Sequence, residues 1–389
     1  MSNVAVGDID LSAVLADIEQ MVTCESPSSD RAAVAASAEL VAGIGERRMG
    51  SPAERIVIDG RTHLRWRLGA GPRRVLLLGH HDTVWPIGSL ATHPFRVTDG
   101  ILRGPGCFDM LTGVAMMFHA VSALGPQAVD GVSVLVTGDE ELGSPSSREL
   151  IEAEATGCAA AFVLEASADD GALKIERKGV SLYEVILHGR AAHAGLEPEK
   201  GVNATIEAAQ QILAVAALAD PASGTSVVPT MLSAGTTTNT VPALARFSVD
   251  VRVRTTAEQD RVDAAIRTLT PVLPDSRIEV VGGPNRRPLD RASSAALFER
   301  AGSLAAGLGL PPLTGVAVGG ASDGNYTAGV GTPTLDGLGA VGGGAHADSE
   351  HVLVEAIPGR TALLAALVST VLGRSGSTNA DGFDRPVTP

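Results

Sequence analysis

The sequence predicts an α/β protein: a mostly parallel sheet with flanking helices, interrupted by an inserted α+β domain. Three observations carry that prediction. Short, continuously apolar runs at 74–78, 132–136 and 160–164 alternate with stretches of helical periodicity, the pattern of strands buried on both faces and joined by crossovers. Near Lys178 these runs give way to strands of alternating polarity. From Ser293 the α/β pattern returns and closes with a helix over 354–372.

Taken in order, residues 9–23 place Leu11, Val14, Leu15, Ile18, Met21 and Val22 at helical spacing, an amphipathic helix. Cys24 to Asp30 is a turn rich in Ser and Pro, and the Ala-rich stretch 31–46 is a second helix. Residues 55–59 and 63–68 alternate around Gly60 and read as strands. A buried strand over 74–79 then runs into Gly79-His80-His81-Asp82-Thr83-Val84. Gly100 to Gly106 is a glycine-rich loop leading to Asp109, and 110–124 is a helix with Val114, Met117, Phe118 and Val121 on its apolar face. The strand 132–136 runs into Gly138-Asp139-Glu140-Glu141, 146–156 is helical, and the strand 160–164 ends at Glu165.

The inserted part reads as strands at 180–187, 227–233, 246–254 and 278–281 with helices at 203–218 and 257–269, and Gly283 to Pro288 as the return linker. The expected organisation is a catalytic domain of 1–178 and 287–375, an inserted domain of 179–286, and a disordered tail at 376–389.

Bulk composition narrows the function. A chain of 389 residues with 44% hydrophobic content holds two or three domains and a sizeable core. A formal net charge of -14 argues against nucleic acid and anionic membrane as partners. Cys24, Cys107 and Cys158 are odd in number and lack metal-binding spacing, so neither a disulfide framework nor a thiolate site is expected. The first residues lack a basic, then apolar, leader, and no apolar run reaches the ~18 residues of a membrane span. A cytoplasmic location is the expectation.

Motifs that carry chemistry stand at strand ends. His80 and Asp82 form a His-x-Asp pair after a buried strand, where one ring nitrogen can bind a metal while the carboxylate takes the proton on the other. Taken alone, the pair is also readable as a strand-end histidine capped by a nearby acid. Asp109, Asp139-Glu140-Glu141, Glu165 and His346 in Gly342-Gly343-Gly344-Ala345-His346-Ala347-Asp348 complete the set. Like charges converging on one sheet edge repel and raise each other's pKa unless a cation neutralises them. Two divalent metals would do so, and a His/Asp/Glu set without Cys suits zinc, with cobalt or manganese as alternatives.

These blocks resemble the di-zinc metallopeptidases of the glutamate carboxypeptidase, aminoacylase and acetylornithine/succinyl-diaminopimelate deacylase group, the glutamate carboxypeptidases most of all. The resemblance runs from Glu25-Ser26-Pro27-Ser28 to the final helix. It implies two zinc ions per subunit: His80 and Glu165 as ligands of the first, Glu141 and His346 of the second, and Asp109 bridging. It also implies Asp82 as the orienter of His80, Glu140 as general base, His193 as an oxyanion-stabilising residue from the inserted lid, and a cis peptide bond after Asp109. The sequence departs from the family's usual pattern after Asp109, where Met110-Leu111-Thr112-Gly113 lacks a Lys, and at Ala166, where a Pro is usual.

The implied reaction is hydrolysis of an N-acyl amino acid or small peptide with a free carboxylate, with glutamate as a candidate product: Glu140 deprotonates a zinc-bridging water, which attacks the amide carbonyl. Arg252, Asn239, Arg287, Gly319 and Gly320 are the candidates for holding the substrate carboxylate. Arg252 is also readable as a strand residue paired with Asp250 or Glu258, and Asn239 as a turn residue. The resemblance further implies a homodimer through the lid. Two other readings stand beside this one: an N-acetyl, N-succinyl or N-carbamoyl amino acid deacylase, and a non-catalytic zinc-binding relative, against which the presence of Glu140 speaks.

Overall fold

The computed structural model describes residues 4–373. The chain divides into two compact units. One comprises the chain up to Ile175, Ala292–Val316 and the chain from Val330 onward; the other comprises Glu176–Arg291 and Ala317–Gly329. The tail expected at 376–389 lies outside the described residues.

The first unit is built on a six-stranded sheet of β1 (Glu54–Ile58), β2 (Arg61–Leu68), β3 (Val75–His80), β4 (Val132–Thr137), β5 (Ala160–Val163) and β6 (Thr334–Leu335), in the spatial order β1-β2-β4-β3-β5-β6. β3 runs parallel to both β4 and β5, and β6 runs parallel to β5. The β1–β2 hairpin joins β4 antiparallel at one edge. Every residue of β3 and β4 is buried, in keeping with their largely apolar sequences.

The first two helices begin at side chains that cap them. The Asp10 carboxylate accepts from the N–H of Ala13 and starts α1 (Leu11–Val22). Asp30 accepts from the N–H groups of Ala32 and Ala33 and starts α2 (Arg31–Met49), which ends at Gly50 in the left-handed region. Helix α3 (Thr112–Leu124) is buried along nearly its whole length. A Cβ at Gly113 would lie 2.1 Å from the carbonyl oxygen of Leu164, so only glycine lets α3 pack against the chain just before Glu165. Contrary to the sequence reading, two stretches, Cys107–Leu124 and Ala356–Gly373, are long and apolar enough to span a membrane by length and composition. They are 83% and 61% buried within the fold, and they serve as core helices.

The second unit has its own four-stranded antiparallel sheet, in the order Ser226–Ala234, Leu244–Val253, Gly179–His188, Arg277–Arg286. Helices Ala204–Ala216 and Thr256–Arg267 cover a core that includes Val185, Leu187, Phe247, Val251, Val262 and Ile266. The stretch 283–288, expected to be a linker, mostly continues the last strand to Arg286. Pro284 is tolerated there because this strand is the sheet edge, where one side of the backbone needs no partner. The unit also takes in 317–329, beyond the boundaries expected from sequence. The Asn325 amide donates to the carbonyls of Lys178 and Arg287, and a buried ion pair joins Arg286 to Asp323 at 3.0 Å.

Candidate metal centre

Parallel topology brings the chemistry-bearing residues of the first unit to one rim. His80 is the last residue of β3, Glu140 and Glu141 sit in a short turn just after β4, and Glu165 follows β5. Asp109 occupies the tight turn before α3, and His346, at φ 62°, occupies the loop between strands Gly342–Gly343 and His351–Leu353. This is the carboxyl edge where open α/β sheets hold ligands.

Asp109 is shared between two imidazoles. Its Oδ1 lies 3.5 Å from His80 Nε2, and its Oδ2 lies 3.3 Å from His346 Nε2. Glu165 Oε1 is 3.7 Å from His80 Nε2, and Glu141 Oε2 is 3.2 Å from His346 Nε2. Ligand-type atoms of His80, Glu140 and Glu165 lie within 4.8 Å of one another, as do those of His80, Asp109 and Glu141. The Asp109–Met110 bond is cis, as the resemblance implied.

The supports of these side chains differ in part from expectation. The Nδ1–H of His80 donates to the main-chain carbonyl of Asp82 at 2.9 Å, while the Asp82 carboxylate stands farther off at 3.5 Å. That carboxylate is occupied otherwise: it accepts from the Ser28 hydroxyl at 2.6 Å and from the N–H groups of Glu140 and Glu141, each at 3.2 Å. Asp82 therefore fixes the Glu140–Glu141 turn as well as flanking His80. Asp139 braces the same turn by accepting from the N–H and hydroxyl groups of Ser146 and Ser147. Glu350 lies under the Asp109 turn and accepts from its N–H groups. The motif reading did not single out Ser28 as an acceptor's partner, nor Glu350 at all; the only sequence signals were Ser28's place in the Glu25–Ser28 block and an acid four residues after His346.

The electrostatics show what the cluster demands. Burial works to lower the pKa of His80, but the Asp109 carboxylate and the charges of Asp82, Glu165 and Glu140 outweigh it and hold the imidazole well above its usual range. Hydrogen bonding to Asp109 and Glu141 pushes His346 up to about 10. Burial opposes ionisation of Asp109, yet the two imidazoles overcome it and hold its carboxyl below the usual carboxylate range. Burial raises Asp82 to about 6 against the pull of His80 and Ser28. His81, by contrast, is pushed down to about 4 by burial; its ring lies 3.1 Å from the Thr62 carbonyl and 3.2 Å from the Ser37 hydroxyl, a packing role.

The residues fit a metal. His80 Nε2, Asp109 Oδ1 and Glu141 Oε1 are buried with no hydrogen-bond partner, and unsatisfied buried polar atoms converging on one point call for an ion. The donors are imidazole and carboxylate without thiolate, a set that suits zinc, cobalt or manganese.

The remaining candidates belong to the second unit. His193 is exposed; its Nδ1 accepts from the N–H groups of Gly195 and Leu196, each at 3.1 Å, which in the neutral ring leaves the proton on Nε2. The carbonyl of Asn239 accepts from Ala194 N–H at 2.9 Å, and His193 pairs with Thr240 across a two-stranded ladder, so the backbones of His193 and Asn239 are held side by side. Arg252 gives both arms of its fork to Asp250, at 2.8 and 2.9 Å. Arg287 is engaged by Asp260 and Gln259 on the neighbouring helix. Gly319 and Gly320 lie in the 317–329 segment, where the Gly320 carbonyl accepts from Arg177.

Comparison with known proteins accords with this geometry. Residues 76–370 match the model of the family described as Peptidase family M20/M25/M40. Carboxypeptidase G2 of Pseudomonas sp. (strain RS-16) is 32% identical over 382 residues, covering 92% of this chain and 88% of that protein. A succinyl-diaminopimelate desuccinylase of Methylorubrum extorquens (strain PA1) is 28% identical, over 76% of this chain and 82% of its own length. Among solved structures, an M20 family metallo-carboxypeptidase from Sulfolobus solfataricus shares the fold with a TM-score of 0.70 at 14% identity, covering 92% of this chain and 99% of that one.

Proposed function

The chain belongs to peptidase family M20/M25/M40, whose members are metal-dependent hydrolases, and from that premise we propose that it cleaves the amide bond of an N-acyl amino acid or small peptide bearing a free carboxylate, with glutamate as a candidate product. The observation that carries this reading is the Asp109 carboxylate held between His80 and His346, with Glu140 beside them. His80, Glu165 and Asp109 would hold one zinc, and His346, Glu141 and Asp109 a second, with cobalt or manganese as alternatives. When bound, such ions supply Lewis acidity, lowering the pKa of an attacking water and polarising the scissile carbonyl.

The chain's own groups do the rest. Glu140 takes the proton of the attacking water and passes it to the departing amine nitrogen. Asp82 and Asp139 keep the Glu140 turn in place through the hydrogen bonds described above. His193, with its proton on Nε2, is a donor for the developing oxyanion. Asn239, tied to His193, and the loop at Gly319 and Gly320 receive the substrate carboxylate, joined by Arg252 and Arg287 on exchange of their present acidic partners.

The same proposal includes a homodimer formed through the second unit, with His193 serving the partner's site. Its support is the exposed edge strand Ser226–Ala234, where Met231 and Leu232 are 71% and 59% exposed, and the adjacent helix face with Leu213 69% exposed. A cytoplasmic location is also proposed, in keeping with three unpaired cysteines. Similarity to desuccinylases keeps an N-acyl amino acid deacylase as the second reading of the same chemistry. The deciding experiment is a screen of N-acetyl, N-succinyl and N-carbamoyl amino acids, N-acyl glutamates and dipeptides against zinc-loaded protein, reading released amine. Turnover of acyl glutamates above the rest supports the leading reading. Turnover of other acyl amino acids selects the second, and no amine from any class overturns both.

A further inference from the structure

We propose that Glu350 is a positioning residue of the metal centre: it locks the His346 loop to the Asp109 turn and so sets the His346 imidazole against Asp109 Oδ2. This rests on the metal-site reading above.

Glu350 is 3% exposed, and its carboxylate meets four N–H donors, two on each oxygen. Oε1 accepts from Phe108 N at 2.8 Å and Asp109 N at 3.0 Å; Oε2 accepts from Gly106 N at 3.0 Å and the Trp85 indole at 2.7 Å. Three of these donors are main-chain groups of one turn, which point the same way because Gly106 takes a left-handed conformation at φ 69°. Such a nest of N–H groups calls for an anion, and only an ionised carboxylate can accept from all four. Glutamine would turn an N–H₂ group toward one pair of donors.

Glu350 also has a place in the chain that suits the role. It stands four residues after His346, in a loop closed by Ala347 N–H to Gly344 O and Glu350 N–H to Ala347 O. His346 is half-exposed, and its imidazole meets the carboxylates of Asp109 and Glu141. The Glu350 side chain therefore supplies a short mechanical link between the two segments that face each other at Asp109 Oδ2 and His346 Nε2. His80 and Glu165, by contrast, are buried at strand ends and do not depend on this link.

The test is cobalt(II) and zinc(II) titration of the full chain and of Glu350→Gln, followed by calorimetry and by the visible absorption of the cobalt form, with far-UV circular dichroism and steady-state kinetics alongside. The expected result is an unchanged fold, near-normal affinity for the first equivalent, at least tenfold weaker binding of the second with an altered cobalt spectrum, and a kcat loss with KM changed less than twofold. Trp85→Phe removes one of the four donors and keeps an aromatic ring, so it should shift the second equivalent in the same direction by two- to fivefold. It decides the matter if Glu350→Gln does not fold. Wild-type affinity for both equivalents in the folded variants overturns the proposal, as does equal weakening of both equivalents together with lost thermal stability. A wild-type chain that binds neither metal overturns the metal-site reading itself.

Discussion

Oδ1 and Oδ2 of Asp109 face different histidines, and the contact of Oδ2 with His346 Nε2 at 3.3 Å closes the rim between two segments far apart in sequence. Protein purified without chelator should therefore carry close to two divalent ions per chain by elemental analysis. His346→Ala should lower this toward one while leaving the fold intact. A folded wild-type protein that stays near zero after zinc addition refutes the assignment.

Glu140→Gln should keep the metal content and the circular dichroism of the parent, because the change is isosteric and the N–H of residue 140 still reaches Asp82. Its kcat should fall by several orders of magnitude, since proton abstraction and return both pass through that carboxylate. A loss below about tenfold would mean that another group is the base.

Mixing inactive subunits tests the shared site. Glu140→Gln and His193→Ala, combined under conditions that allow exchange, should regain activity up to about a quarter of the parent if His193 acts in the partner's site. No recovery in any mixture, with exchange shown independently, places His193 in its own chain's site.

Glu154 makes a stability prediction remote from the rim. Burial opposes its ionisation, but Arg67, Ser133 and Arg73 outweigh that and hold the carboxyl near 2, below the ordinary 4.5. Its pKa is depressed in the folded state, so its contribution is complete above about pH 4.5 and is lost as pH falls toward 2. Glu154→Gln, which leaves Arg65, Arg67 and Arg73 without their buried partner, should cost about 3 kcal/mol at neutral pH. In urea unfolding, the gap between parent and variant should shrink between pH 4.5 and 2. A gap that does not vary with pH contradicts the assignment.

Much of this was legible in the sequence because burial on both faces leaves a long apolar signature. β3, β4 and β5 stood out, and with them the residues at their ends. Asp109 and His346 lie in irregular turns, where periodicity says nothing, and only their motifs disclosed them. The supports escaped for a different reason. Ser28 and Glu350 act through hydrogen bonds to main-chain or distant groups, and such pairings leave no local pattern. The same holds for 317–329, whose place in the second unit is set by Asn325 and Asp323. Arg252 shows the limit of motif reading, since the fork offered to a substrate carboxylate is held by Asp250 two residues away.

Because the second compact unit is threaded into the chain between Glu165 and His346, a ribosome delivers His80, Asp109, Glu140, Glu141 and Glu165 before it begins that unit, and His346 only after completing it. A nascent chain stalled within the insertion carries one histidine and an excess of acids at the rim. A centre that includes His346 would therefore be completed only after the second unit has been made.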